Sequence, residues 1–249
     1  MQFTILRFEE LESTNTEALN QAKRGADEGL CIVARRQTAG RGRHGRAWIS
    51  GEDAGLYFSI VLRPKIETRF LSLITLMTAV AVYETLKTFD LNPDIKWAND
   101  VHINGKKISG ILAETCDTQK GLAIVVGIGI NLKSSNFPPE IAGIATSIES
   151  ETNQTANIEK LLENLIAYLD EHYRALKGDG GAEKIRRAWA ERSSYYTGKN
   201  VKVTMGSEVI TGTTRGIEEN GALRVELETG EIRVIHAGDV ENLRQIPSF

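Results

Sequence analysis

Residues 35–48 read RRQTAGRGRHGRAW: five arginines, three glycines and one histidine, with no acid among them. The chain around them is slightly acidic, with 33 Asp and Glu against 30 Lys and Arg. Arginine brings a permanent charge and a planar donor fork that matches phosphate or carboxylate. Glycines at 40, 42 and 45 let the backbone approach an anion and present N–H groups to it. Three readings stand side by side. The stretch is a solvated basic loop, an Arg-Gly contact to a nucleic-acid backbone, or a mobile loop that closes over a small phosphorylated ligand.

A second stretch, KWANDVHINGKKISGILAE at residues 96–114, adds other chemistry. Asn99 and Asp100 follow a short strand-like segment, and Lys107 follows Asn104-Gly105, a strong hairpin signal. Strict alternation puts Lys107, Ser109, Ile111 and Ala113 on one face of a strand. A lysine there either snorkels at a sheet edge or is aimed into a site. Residues 127–132, GIGINL, begin like a dinucleotide fingerprint but carry leucine where its last glycine belongs. The sequence has no Walker phosphate loop, zincin motif or nucleophile elbow.

The elements that must position these residues can be read from periodicity. Strands are expected at residues 3–8, 30–36, 56–62, 94–97, 101–103, 107–115 and 122–130. Thr14-x-x-Glu17 has the form of a capping box, with Gly25 as the stop of the helix it opens. Residues 70–89 are apolar on most sides and predict a buried helix. Ile158, Leu161, Leu162, Leu165, Ile166, Leu169, Tyr173 and Leu176 mark one face of a long amphipathic helix. Beyond Gly178-Asp179-Gly180-Gly181 comes a short helix around residues 183–191. Four strands follow, at 201–205, 208–217, 222–227 and 231–236, with turns at Asn220-Gly221 and Thr229-Gly230. Hairpins beside single strands favour an α+β class, a mixed or antiparallel sheet with packed helices, followed by a small β-barrel-like module.

Composition sets the outer limits. At 249 residues and 41% hydrophobic, the chain can bury a substantial core in one large domain or one plus a small one. A net charge of −3 does not suggest nonspecific nucleic-acid binding. The N-terminus lacks the pattern of a signal peptide. The most apolar stretch, residues 70–82, is interrupted by Ser72, Thr75 and Thr78, so no membrane span is expected. Cys31 and Cys116 form no metal-ligand spacing, which fits free thiols in a reducing cytoplasm.

ESTNTEA at 12–18, the arginine stretch, GLYFSIVLRP at 55–64, KWANDVHINGKKISGILAE and GIGINL resemble the biotin–protein ligases, in the family's order and at plausible spacing. The resemblance runs from about Leu6 to Leu132, and the C-terminal β module fits it. It implies a catalytic domain over residues 1–190, of the class II aminoacyl-tRNA-synthetase-like type, and an SH3-like β-barrel over 191–249. Two departures stand out. Ala98 replaces the family's usual proline, which alters backbone stiffness. The chain also opens directly on the catalytic segment, without the winged helix-turn-helix of bifunctional members, so no repressor function or specific DNA binding is expected.

The reaction implied has two steps. Biotin's carboxylate attacks the α-phosphate of ATP, giving biotinyl-5′-AMP and pyrophosphate. A lysine of a biotin carboxyl carrier domain then takes the biotinyl group. Bringing two anions together requires preorganised cations and positioning. By resemblance, Arg43 and Lys107 serve that step, and Lys107 contacts both the carboxylate and the α-phosphate. Biotin contacts are expected from Ser13, Thr14, Asn15, Gln37, Gly40, Arg41, Gly42, Arg43, Lys107 and Gly110. Thr14 is open to a second reading as a helix N-cap. Nucleotide contacts are expected from Arg41, Arg43, Arg46, Trp48, Asn99, Lys107 and Asn131. Arg46 and Trp48 read equally as a surface arginine and a core tryptophan. Asn99 and Asp100 either meet Mg²⁺-linked phosphate or orient Lys107, and Asp100 is a candidate to deprotonate the acceptor lysine. Mg²⁺ should arrive with ATP rather than in a fixed protein cage. A lipoate-type acyl-adenylate ligase is the alternative. A homodimer is compatible with the resemblance, and no membrane association is expected.

Overall fold

The computed structural model describes residues 1–135 and 137–242. The end of the expected C-terminal domain, 243–249, lies outside the described residues. Chain order is β1 (Thr4–Leu11), α1 (Thr14–Lys23), β2 (Leu30–Gln37), β3 (Gly55–Leu62), α2 (Leu73–Lys87), β4 (Asp94–Lys96), β5 (Asp100–Ile103), β6 (Lys106–Thr118) and β7 (Gly121–Asn131). Two short helices, α3 (Pro139–Ala142) and α4 (Ile148–Thr152), lead to α5 (Ile158–Lys177) and α6 (Gly181–Ala190). The last five strands are β8 (Thr197–Met205), β9 (Glu208–Ile217), β10 (Leu223–Glu226), β11 (Ile232–Ile235) and β12 (Asp239–Asn242).

Seven strands form one mixed sheet in the order β1-β2-β3-β7-β6-β5-β4. Its one parallel pair is β1–β2, joined through α1, as a crossover connection requires. One face carries the main core: Leu56, Phe58 and Ile60 of β3 meet Val126, Ile128 and Ile130 of β7, under α2 and α5. On the opposite face α1 lays Ala18 and Ala22 on Ile32, Val61, Ala123 and Val125. β3 is therefore buried along its whole length on both faces. Every residue of the expected apolar stripe on α5 is buried or packed on the core.

Three local expectations are corrected. The N-cap of α1 is Ser13, whose hydroxyl accepts from Thr16 N at 3.4 Å, and Glu17 bonds Gln21 instead of closing a capping box. Residues 68–87 do have the length and hydropathy to cross a membrane. They lie in the core instead, with Leu73, Ile74, Met77 and Val80 fully buried against the sheet and α5. The third concerns Lys107. β5 and β6 pair Val101 with Ser109 but His102 with Lys107, so Ile108 is an extra, unopposed residue. That bulge flips the alternation. Lys107 shares its face with Gly110, and Ser109 and Ile111 point into the core.

The C-terminal strands form an antiparallel sheet, β11-β10-β9-β8-β12, the small SH3-like module expected from the sequence. The strand β12 carries no strong β signal and forms by pairing with β8. The module docks on the larger half: the Trp97 indole N–H donates to Gly221 O at 2.9 Å, and the Ser72 hydroxyl donates to Asn220 O.

Candidate functional site

The half of the sheet face that α1 leaves uncovered is floored by glycine. Register places Ser59, Gly127, Gly129 and Gly110 side by side across β3, β7 and β6. Their missing side chains are needed. A Cβ on Gly129 would sit 2.3 Å from Trp48 Cε2, and one on Gly127 would sit 2.5 Å from Asn15 Oδ1. At Gly110 it would fall 2.9 Å from Trp48 and 3.0 Å from Lys107 Cε. A flat floor thus admits an indole, an amide and a lysine stem at backbone distance.

At one end of the floor lies a neutral polar cluster at the start of α1. Ser13, Thr14 and Asn15 are buried. The Gln37 side-chain oxygen accepts from Thr14 N at 2.8 Å and from the Thr14 hydroxyl at 3.2 Å, while Gln37 Nε2 donates to Ser50 Oγ. The Ser59 hydroxyl lies 2.8 Å from Thr14 Oγ1 and 3.0 Å from Asn15 Oδ1. Asn15 Nδ2 donates to Glu114 Oε2 at 2.7 Å. Apart from the Glu114 carboxylate, these groups are uncharged donors and acceptors, suited to a neutral polar ligand head.

At the other end the cations gather. Lys107 Nζ is 2.6 Å from Asp100 Oδ1 and 5.5 Å from the centre of the Trp48 ring. Its backbone is tied on both sides: Lys107 N donates to Ile144 O, and Lys107 O accepts from Thr146 N at 2.9 Å. Asn131 Nδ2 adds bonds to the carbonyls of Thr146 and Lys107. Arg43 Nη1 donates to Asn99 Oδ1 at 2.7 Å, and Asn99 in turn holds Ile111 O through its amide. Burial depresses the Lys96 ammonium below its usual range. Burial, helped by Lys96 and Lys107, takes the His102 imidazole down to about 4.

Residues 38–48, which follow β2, arch over this floor. Trp48 N donates to Gly40 O, Gly42 N donates to Arg46 O, and Arg43–Gly45 make a tight turn. Each loop arginine has a partner. Arg41 pairs with Glu114 at 2.6 Å, and Arg46 pairs with Asp239 of the C-terminal module at 2.5 Å. Between loop and floor remain about 50 Å³, lined by Ser13, Thr14, Asn15, Gln37, Arg41, Gly42, Arg43, Trp48, Asn99, Lys107 and Gly110. Ligand pockets usually enclose roughly 300–1,000 Å³, so a small-molecule ligand requires the loop to shift. Beside it opens a cleft of about 550 Å³, lined by Arg46, Trp48, Asn99, Asp100, Lys107 and Asn131 together with Ile49, Ile144 and Asp239. Lys107, Trp48 and Asn99 belong to both spaces.

Every expected site residue except Gly40 therefore lines one of two adjoining spaces. Gly40 packs behind the loop, where a Cβ would meet Trp48 O at 2.3 Å. Reading the sequence missed Glu114, Asp239 and the floor role of Gly127 and Gly129. The glycines lie inside GIGINL and Glu114 closes the 96–114 stretch, so both were signalled there. Nothing in the sequence around Asp239 marks it. Among the described residues no three His, Cys, Asp or Glu side chains cluster as a metal cage.

A family profile described as the biotin/lipoate A/B protein ligase family matches residues 8–131. A second, described as the biotin protein ligase C terminal domain, matches residues 196–242. The bifunctional ligase/repressor BirA of Bacillus subtilis is 34% identical over 235 residues, covering 93% of this chain and 71% of that protein. The biotin–[acetyl-CoA-carboxylase] ligase of Paracoccus denitrificans is 34% identical over 239 residues, covering 92% and 96%. A biotin protein ligase from Aquifex aeolicus, solved in complex with biotin and ATP, superposes with a TM-score of 0.82 at 31% identity, covering 96% of this chain and 98% of that one.

Proposed function

The chain belongs to the biotin/lipoate A/B protein ligase family, and from that premise we infer its reaction and the part each residue takes in it. It is an ATP-dependent biotin ligase: it activates biotin as biotinyl-5′-AMP, releasing pyrophosphate, and transfers biotin to a lysine of a carrier domain. Biotin is favoured over lipoate because the relatives matched along nearly the whole chain are biotin ligases. The observation that carries the assignment of parts is the floor itself, with neutral donors and acceptors at one end and Lys107 and Arg43 at the other.

A urea head fits the Ser13–Asn15 end, and a carboxylate fits the Lys107 end. In the first step the carboxylate oxygen attacks the α-phosphorus and pyrophosphate leaves. Lys107 and Arg43 offset the repulsion between the two anions. ATP extends into the adjoining cleft, past Arg46, Trp48 and Asn131. Asn99 or Asp100 would offer the protein oxygen to a Mg²⁺ brought in with the nucleotide, and the ion would offset phosphate charge there. In the second step the acceptor ε-amine attacks the mixed anhydride, loses a proton, and AMP leaves. The 2.6 Å ion pair supports Asp100 as the group that orients Lys107. The acceptor is the biotin carboxyl carrier domain of a biotin-dependent carboxylase, and the place of action is the cytoplasm. The division of labour is a catalytic domain at 1–190 and a C-terminal β domain at 191–249.

ATP–pyrophosphate exchange driven by biotin and not by lipoate tests the assignment. Exchange with lipoate alone would overturn it.

A further inference from the structure

Glu114 lies outside the expected site yet touches it twice. Its Oε1 accepts from Arg41 Nη2 at 2.6 Å, and its Oε2 accepts from Asn15 Nδ2 at 2.7 Å. One partner belongs to the arginine loop, the other to the start of α1. The two contacts differ in kind. The Arg41 side chain is 43% exposed, and an isolated ion pair of that sort contributes little. Asn15 is 3% exposed, so its amide would be left unsatisfied without a partner. The buried amide therefore holds the carboxylate in place and presents its free oxygen to the loop. The same bond orients Asn15: Nδ2 goes to Glu114 and Leu112 O, which leaves Oδ1 to accept from Ser59.

We propose that Glu114 is a positioning residue that couples closure of the arginine loop to the orientation of Asn15 at the polar end of the pocket. This rests on the biotin-ligase reading for its ligand. Glu114 sits four residues along β6 from Gly110, beside which Lys107 lies, or roughly 13 Å at the rise of a strand. At that distance, and already paired with Arg41, its charge opposes an anion held by Lys107 only weakly. The carboxylate can therefore clamp the loop with little opposition to the reaction. When a ligand head recruits Asn15, loop and pocket respond together.

Glu114→Gln keeps the size but offers a donor to one of the two partners. In the ligand-free protein, trypsin should cut after Arg43 and Arg46 about five-fold faster than in the parent. In biotin-dependent pyrophosphate exchange, KM for biotin should rise about ten-fold while kcat changes less than about three-fold. Arg41→Gln should reproduce the faster cleavage and the higher KM, and the double variant should be no worse than the worse single one. Unchanged cleavage and unchanged KM in a variant that melts cooperatively would overturn the proposal, and so would additive effects. If Glu114→Gln does not fold, Arg41→Gln carries the test, and parental cleavage and KM there overturn it. Absence of exchange in the parent would strike the ligase reading alone, because loop cleavage is read without ligand.

Discussion

Lys107 Nζ stands 2.6 Å from Asp100 Oδ1, and the pair spans the one irregular step of the β5–β6 ladder. Without the unopposed Ile108, regular alternation would turn Lys107 into the core side of the sheet. The bulge puts it on the glycine floor, and Asp100, opposite Gly110, fixes its direction.

Lys107→Ala should fold as the parent does and lose most adenylate formation. Losing a preorganised cation where two anions meet costs about 2–4 kcal/mol in the transition state, or roughly 30- to 1,000-fold in rate. Single-turnover adenylation measures this directly. A parental rate in the folded variant would remove Lys107 from the chemistry.

Arg43→Ala should make the adenylate leak. The mixed anhydride must be kept from water, and Arg43 both faces the pocket and ties the loop to Asn99. The variant should release biotinyl-5′-AMP and label exposed lysines on unrelated proteins. Retention of the adenylate for as long as in the parent would make Arg43 peripheral.

Ligand should protect the arginine loop. Its arginines are held by exposed pairs of small individual worth, and the space beneath it must open to admit biotin. Trypsin should therefore cut near Arg41, Arg43 and Arg46 in the free protein and much more slowly with biotin or its adenylate. The strands β2 and β3 should resist in both states. Equal cleavage rates with and without biotin would mean a rigid surface feature rather than a lid.

His102 should make the fold acid-sensitive. Burial lowers its imidazole from 6.5 to about 4, so the folded protein favours the neutral form. The stability this group contributes is complete above pH 6.5 and is lost as pH falls toward 4. The loss is on the order of 3 kcal/mol for such a shift. Urea midpoints across this range, compared with those of His102→Asn, isolate the effect. Parallel curves for the two proteins would contradict it.

Much of this was written locally. Asn104 and Gly105 both take positive φ, so the hairpin formed where the dipeptide placed it. The stripe on α5 is a short-range pattern, and every residue of it is buried or packed on the core. Charge and flexibility alone left three readings of the arginine stretch open, and it was the resemblance carried by that stretch, the Lys107 segment and GIGINL that implied the chemistry. Tertiary structure decided what pairing and distance control. The Ile108 bulge exists only because β5 and β6 meet in a given register, and it reversed the face expected for Lys107. Trp48 over Gly129 joins residues 81 apart in the chain, Glu114 and Arg41 are 73 apart, and Arg46 and Asp239 are 193 apart. No local propensity encodes such contacts. The first two follow from the order of the seven-stranded sheet, and the third from the docking of the C-terminal module on it.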